Sequence, residues 1–294
     1  MIKKHNISPV QPSRVVVIGA NGFVGSEIVK ALSGKKINIY PIGKNDIDLL
    51  SDYADDRLSE IIKPDDVIIF VSAKAPCKNL EMLSDNIKMV KVICNVLNKN
   101  KANHVIYISS DAVYKDSSSP LSENSCAEPE TLHGVMHLAR EVALKTYCSS
   151  PLAIVRPTLI YGLNDPHNGY GPNRFRRLAS KNEEITLFGN GEELRDHIAV
   201  DDLAELVSQI VLYKAEGVIN AVSGEVVSFC ELAEFIVSKY QNNAGISSSL
   251  RVGKIPHNGY RAFNNSCLLK EFPEISFKSW RLGVLRLCES IAND

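Results

Sequence analysis

The sequence has almost no net charge: 33 Lys and Arg stand against 34 Asp and Glu, a formal balance of −1 over 294 residues. Nucleic-acid and anionic-membrane binders carry a basic surplus that this balance does not supply, so neither partner is expected. The chain also lacks any Cys-x-x-Cys pair. Its seven cysteines (Cys77, Cys94, Cys126, Cys148, Cys230, Cys267, Cys288) are odd in number and scattered, which argues against a zinc site of the usual spacing and for a reducing compartment. No run approaches the roughly 18 apolar residues of a membrane span. Met1 to Ser13 holds two lysines but no apolar core of signal-peptide length, and a cytoplasmic protein is the expectation. Repeats and low-complexity tracts are absent. What remains is ordinary globular composition, 45% apolar and 23% charged, with length for about two domains or one large domain and a lobe.

The apolar pattern starts at Val15-Val16-Val17-Ile18, a β-branched run typical of strands buried on both faces. Similar runs follow near Ile37–Ile42, at Val67–Val71, at His104–Ile108 and at Leu152–Val155. Helical spacing separates them, in Ile28, Val29 and Leu32 and again in Ile87, Val90, Cys94 and Leu97. Alternating strands and helices predict an α/β fold, a Rossmann-type doubly wound parallel sheet. Residues 161–173 hold three glycines, two prolines and three asparagines, the composition of a long loop. Beyond it, Asp201-Asp202 opens one helix, and Ser228 to Glu231 is a capping-box pattern opening another. The predicted division is 1–162, a dinucleotide-binding domain, and 163–294, a smaller, mostly helical substrate lobe, with 196–222 returning to the first domain.

Gly19, Gly22 and Gly25 sit between a buried strand and a helix. Glycine there permits a tight turn, close approach of backbone to a pyrophosphate, and close packing of helix on strand. The helix N-terminus then offers free N–H groups and the positive end of its dipole to phosphate. A dinucleotide site is expected, NAD or NADP. An acidic residue ending the second strand would receive the adenosine ribose of NAD, and Tyr40 to Asn45 has none. Lys44 could meet a 2′-phosphate instead, which leans towards NADP; equally, Lys44 could be a solvated lysine. Asp48 and Leu49 come later and could border the adenine.

Several motifs in order carry a resemblance. They are the glycine loop, Asn86, Ser109-Ser110-Asp111-Ala112-Val113-Tyr114, Arg156-Pro157 with Tyr161-Gly162, Gly189-Asn190-Gly191, Arg195-Asp196-His197 through Asp202, and Asn220 to Gly224. Together they resemble the extended short-chain dehydrogenase/reductases, the NAD-dependent epimerase/dehydratase family of sugar-nucleotide enzymes, over about residues 14–240. The resemblance implies dinucleotide contacts from Gly19, Asn21, Gly22, Phe23, Val24 and Gly25, from Val71, Ser72, Ala73 and Asn86, and from Pro157. It implies substrate contacts from Lys74, Tyr161, Asn173 and Arg195, with a nucleotide-diphosphate sugar as the partner. Arg195 matches an arginine that contacts the pyrophosphate, and residues 170–175 are expected to line that cleft. Family members often dimerise through two helices per subunit, here those around 84–99 and around His133, with Met89, Leu144 and Tyr147 as contacts.

The resemblance breaks at the catalytic centre. The family frame Tyr-Gly-x-Ser-Lys reads His133-Gly134-Val135-Met136-His137, while Leu138-Ala139-Arg140-Glu141 keeps the register. Ser110 and Asp111 hold the other expected catalytic places. Three readings follow. His133 acts as the acid/base, since imidazole exchanges protons near neutrality, and His137 binds the ribose hydroxyls. Or the pair, one helical turn apart, binds metal. Or the chain binds nucleotides without turnover, as a regulator. Ala112 stands where dehydratases of the family keep a base, and a methyl group cannot remove the C5 proton. Hydride chemistry at a sugar carbon, C4 by preference, is the expected reaction: epimerisation, keto reduction or dehydrogenation.

Overall fold

The computed structural model describes residues 2–240 and 243–289, so Met1, 241–242 and 290–294 of the two expected domains lie outside it. Chain order begins with β1 (Lys3–Lys4), β2 (Arg14–Ile18), α1 (Phe23–Gly34), β3 (Ile39–Ile42), α2 (Ala54–Ile61) and β4 (Asp66–Phe70). It continues with α3 (Leu80–Lys99), β5 (His104–Ile108), α4 (Leu132–Tyr147), β6 (Leu152–Pro157), β7 (Leu159–Tyr161), α5 (Pro172–Ser180), β8 (Ile185–Phe188) and β9 (Leu194–Ala199). Then come α6 (Val200–Tyr213), β10 (Ala215–Ala221), β11 (Val226–Ser228), α7 (Phe229–Val237), β12 (Ile246–Ser249), β13 (Tyr260–Arg261), α8 (Ser266–Glu271) and α9 (Trp280–Glu289).

The main sheet has seven strands in the order β1-β10-β6-β5-β4-β2-β3, parallel except where β1 meets β10. Its central strands β2, β4, β5 and β6 are mostly apolar and almost wholly buried because both faces are covered. Val15 and Val17 of β2 face α1 and α6, through Ile28, Leu32, Leu203 and Leu206. Val16 and Ile18 face the opposite layer, through Leu58 of α2, Val90 of α3 and Leu144 of α4. The chain leaves β2 towards β3 on one side and returns to β4 on the other, so the direction of winding reverses between β2 and β4. That reversal opens a crevice at the carboxyl ends of those strands, the usual place for a ligand in such sheets.

Two helices near the crevice start on side-chain caps. Asn79 accepts from Met82 N at 2.8 Å to open α3, and Thr131 accepts from Gly134 N at 3.1 Å to open α4. Past residue 162 the helical expectation was incomplete. β9 pairs with β7, β11 and β13, and β8 pairs with β12. These strands are six residues or fewer, too short to show a two-residue period in the sequence. The expected dimer contacts also need correction: Met89 and Leu144 are buried in the core, whereas Tyr147 is exposed. The apolar side chains that α3 and α4 turn outward include Leu80, Ile87, Val135 and Val142. No described helix is long and apolar enough to cross a membrane.

One polar knot lies inside the sheet layer. Glu141 of α4 is fully buried and accepts from Arg156 of β6 at 2.9 and 2.6 Å and from Ser109 Oγ at 2.6 Å. A paired guanidinium and carboxylate in a dry site is tolerated only while both remain. Arg156→Leu should therefore cost about 3–5 kcal/mol of stability, read from the urea unfolding midpoint, and a loss below about 1 kcal/mol would show that this pair does not pin α4.

Candidate functional site

A cleft of about 810 Å³ opens at the reversal point, with the glycine loop on one wall and the second lobe on the other. Gly19 holds a φ of +99°, and a Cβ there would stand 2.7 Å from Ser72 N. A Cβ on Gly25 would stand 2.1 Å from the Gly19 carbonyl, so α1 sits against the loop at a distance only glycine allows. Gly22 precedes α1 with no side-chain cap, and Gly22, Phe23 and Val24 line the cleft. Uncapped first-turn N–H groups beside a backbone cradle that any side chain would fill suit a pyrophosphate.

Along the same wall, Asn21, Lys44, Asp48, Leu49, Val71, Ser72, Ala73, Lys74 and Pro157 also line the cleft. The turn after β3 uses its own carboxylate: Asp46 accepts from Gly43 N at 2.8 Å. Lys44 is largely exposed and lies 3.7 Å from Asp48. Asn86 stands behind the wall. Its amide bonds Lys74 N at 3.1 Å, Lys74 O at 2.9 Å and Met82 O at 2.8 Å, so it shapes the loop from below. Lys74 Nζ is held 2.6 Å from Asp85.

The two histidines meet at the cleft floor, their rings 4.7 Å apart and nearly perpendicular. Cys77 N donates to His133 Nδ1 at 3.4 Å, and Tyr107 Oη lies 2.7 Å from His137 Nδ1. Burial lowers the pKa of His133, against a contrary pull from Asp111 and with a small push from His167. Burial, with His133 and Arg140 adding to it, puts His137 well below the ordinary imidazole value. Both rings are neutral at pH 7. Among the described residues no group of three or more His, Cys, Asp or Glu is placed to hold a metal ion, so the histidine pair has no third ligand.

Ser110 and Asp111 also line the cleft. Ser110 Oγ accepts from Ala112 N at 3.1 Å, and Asp111 is held by Arg261 Nε at 3.1 Å. Arg195 of β9 enters from the second lobe, mostly buried, 3.4 Å from Glu193. Asn173 reaches the cleft wall, but its amide accepts from Gly162 N at 3.1 Å and donates to Asp165 at 2.9 Å. Tyr161, expected at the substrate, is buried behind β9 and lies outside the lining. A Cβ on Gly283 would meet its hydroxyl at 1.8 Å, so the phenol is packed against α9. Arg174, Arg176 and Arg177 of α5 also stand outside the lining, whereas Tyr170 and Pro172 belong to it.

The sequence singled out two histidines for the cleft, yet five of the seven line it: His133, His137, His167, His197 and His257. His197 is buried with both ring nitrogens unpartnered among the described residues, and burial lowers its pKa to about 3. Its neighbour Asp196 accepts from Ser223 and Gly224, yet burial still raises its pKa to about 7. His257 and Arg261 approach from past residue 240, where no recognised motif reached. Tyr107 and Arg140 read as ordinary strand and helix residues, and only the pairing of β5 with the floor of α4 reveals them.

A family model described as "NAD dependent epimerase/dehydratase family" matches residues 15–222. A curated relative, UDP-N-acetyl-alpha-D-glucosaminuronate decarboxylase of Bacillus cytotoxicus, is 25% identical over 259 residues, 76% of this chain and 79% of that one. Among solved structures, a GDP-L-fucose synthetase from Naegleria fowleri bound to NADP superposes with a TM-score of 0.83 at 17% identity, covering 100% of this chain and 98% of that one. The Thermus thermophilus UDP-glucose 4-epimerase in complex with NAD gives 0.81 at 17% identity, covering 94% and 98%. Both structural likenesses speak to the fold. The family match takes in the glycine loop, the helix of the two histidines and the strand of Arg195, well over half of the sequence, and the chain therefore belongs to the NAD-dependent epimerase/dehydratase family.

Proposed function

We propose that the protein binds NAD or NADP together with a nucleotide-diphosphate sugar and acts at a sugar carbon, C4 by preference, with His133 as the proton-transfer group. The observation that carries this is the company His133 keeps: it lines one cleft with the glycine loop, Ser110 and Arg195. The nicotinamide ring supplies a hydride acceptor or donor when bound. The glycine loop and the start of α1 hold the pyrophosphate, and Lys44 favours the 2′-phosphate of NADP. Arg195 binds the diphosphate of the sugar nucleotide as a guanidinium fork suits it. Ser110 hydrogen-bonds the reacting hydroxyl, and His133 takes that hydroxyl's proton at Nε2 in oxidation or returns it in reduction. His137 donates to the nicotinamide ribose. Two copies pairing across the outward residues of α3 and α4, Leu80, Ile87, Val135 and Val142 among them, belong to the same reading.

A second reading has its own observation. To take a proton at Nε2, neutral His133 must carry its hydrogen on Nδ1, where Cys77 N already points a donor at 3.4 Å. In that contact the ring is a donor at Nε2, which suits a chain that binds both ligands without turnover. The long contact has to release before His133 serves as base.

Incubation with common nucleotide sugars and NAD or NADP, read at the reduced-nicotinamide absorbance, separates the two readings. His133→Ala should lower turnover at least about 100-fold while dinucleotide affinity holds. Full activity in that variant would remove His133 from the chemistry, and no turnover with any sugar despite tight dinucleotide binding would favour the second reading. The pH profile follows from the lowered His133 pKa: the neutral base persists as pH falls, so kcat/KM for oxidation stays level past the ordinary value of 6.5 and drops only in more acid solution. A decline beginning above neutrality would place the proton on another group. Lys44→Ala is expected to weaken NADPH binding about fivefold and NADH binding little, measured by titration of nucleotide fluorescence; equal effects would take Lys44 off the 2′-phosphate.

A further inference from the structure

His137 is fixed from behind. Tyr107, on β5, is fully buried, packs against Phe70 with ring centroids 5.6 Å apart, and sets its Oη 2.7 Å from His137 Nδ1. Arg140 follows His137 on α4, its guanidinium 4.3 Å over the Phe70 ring and 5.2 Å from the Tyr107 ring, with Nη2 donating to Ser72 O at 2.6 Å. The nearest carboxylate on α4, Glu141, is committed to Arg156 and Ser109. Among the described residues the Tyr107 hydroxyl thus has one acceptor, the Nδ1 lone pair, because a guanidinium only donates. The opposite arrangement, with hydrogen on Nδ1, would leave the buried O–H facing donors alone, and an unmade hydrogen bond in a dry site is costly.

We infer that Tyr107 is a positioning residue that holds His137 in its Nε2–H form, making the ring a fixed, neutral hydrogen-bond donor to the dinucleotide. The inference rests on the dinucleotide reading for its functional half only; the tautomer is a property of the protein alone. Nε2 has no protein partner among the described residues, and His137 lines the cleft, so this N–H is the one left for a ligand. Every other group against the ring works the same way. His133 and Arg140 disfavour a second proton on it, and among the described residues no carboxylate acts to favour one. The histidine therefore replaces a lysine by a donor of fixed direction without replacing its charge.

The test uses the full chain with 15N-labelled histidine, the His137 ring assigned by its loss in His137→Asn. The wild-type spectrum should show protonated Nε2 and bare Nδ1 for His137 at neutral pH, with or without dinucleotide. Tyr107→Phe, which keeps the ring packing, should shift that signature towards mixed tautomers and weaken NAD or NADP binding about tenfold, the scale of one unmade hydrogen bond. A wild-type ring protonated at Nδ1, or an unchanged ring in Tyr107→Phe, would overturn the assignment. An altered ring with unchanged affinity would overturn its role in binding. Wild-type protein that binds neither dinucleotide would instead sink the cofactor reading, and the ring signature would still decide the tautomer.

Discussion

The placement of the histidine-bearing wall of the cleft depends on the buried pair between Glu141 and Arg156. A helix is a rigid ruler with 3.6 residues per turn, so once Glu141 is fixed to β6 the positions of Arg140, His137 and His133 follow along the same helix. Ser109, at the end of β5, binds the same carboxylate and so ties the Ser110–Asp111 turn to the helix it must face. Three elements are thereby registered by one carboxylate. A purely apolar contact in the same place would tolerate sliding of α4 by a fraction of a turn, whereas a bidentate ion pair is directional.

The electrostatics of the floor differ from those of a site built on tyrosine and lysine. There a surface-reaching cation lowers the pKa of a phenol; here two imidazoles are kept neutral by burial. Arg140 lies behind the rings, its guanidinium on the faces of Phe70 and Tyr107 and against the Ser72 carbonyl. Tyr107 is correspondingly an unready acid, its pKa pushed up to about 12 by burial despite that neighbouring guanidinium. Arg140 thus supports the scaffold while two neutral rings face the cleft.

How much of this was legible depends on range. β2, the glycine loop and α1 were readable because their requirement is local: a buried strand, a turn that needs glycine and an amphipathic helix follow one another within about twenty residues. The same holds for His133 and His137, which stand in a recognised frame. The short strands β8, β11, β12 and β13 were not readable, since each is defined by its partner across the lobe rather than by its own pattern. Tyr161 illustrates the other failure. The resemblance implies a substrate contact for it, but packing against Gly283, 122 positions away, turns its hydroxyl inward. Tyr107 needed the same long-range information, an aromatic strand residue becoming a hydrogen-bond donor only because α4 lies across it.

One topological detail bears on how the protein can be divided. The main sheet is completed by β10, which reaches β6 only after the chain has built much of the second lobe. A fragment ending near residue 162 would keep the glycine loop and both histidines yet leave β6 as a bare edge, its N–H and C=O groups ready to pair with any neighbouring chain. The later half of the chain therefore supplies the strand that shields β6 as well as a wall of the cleft.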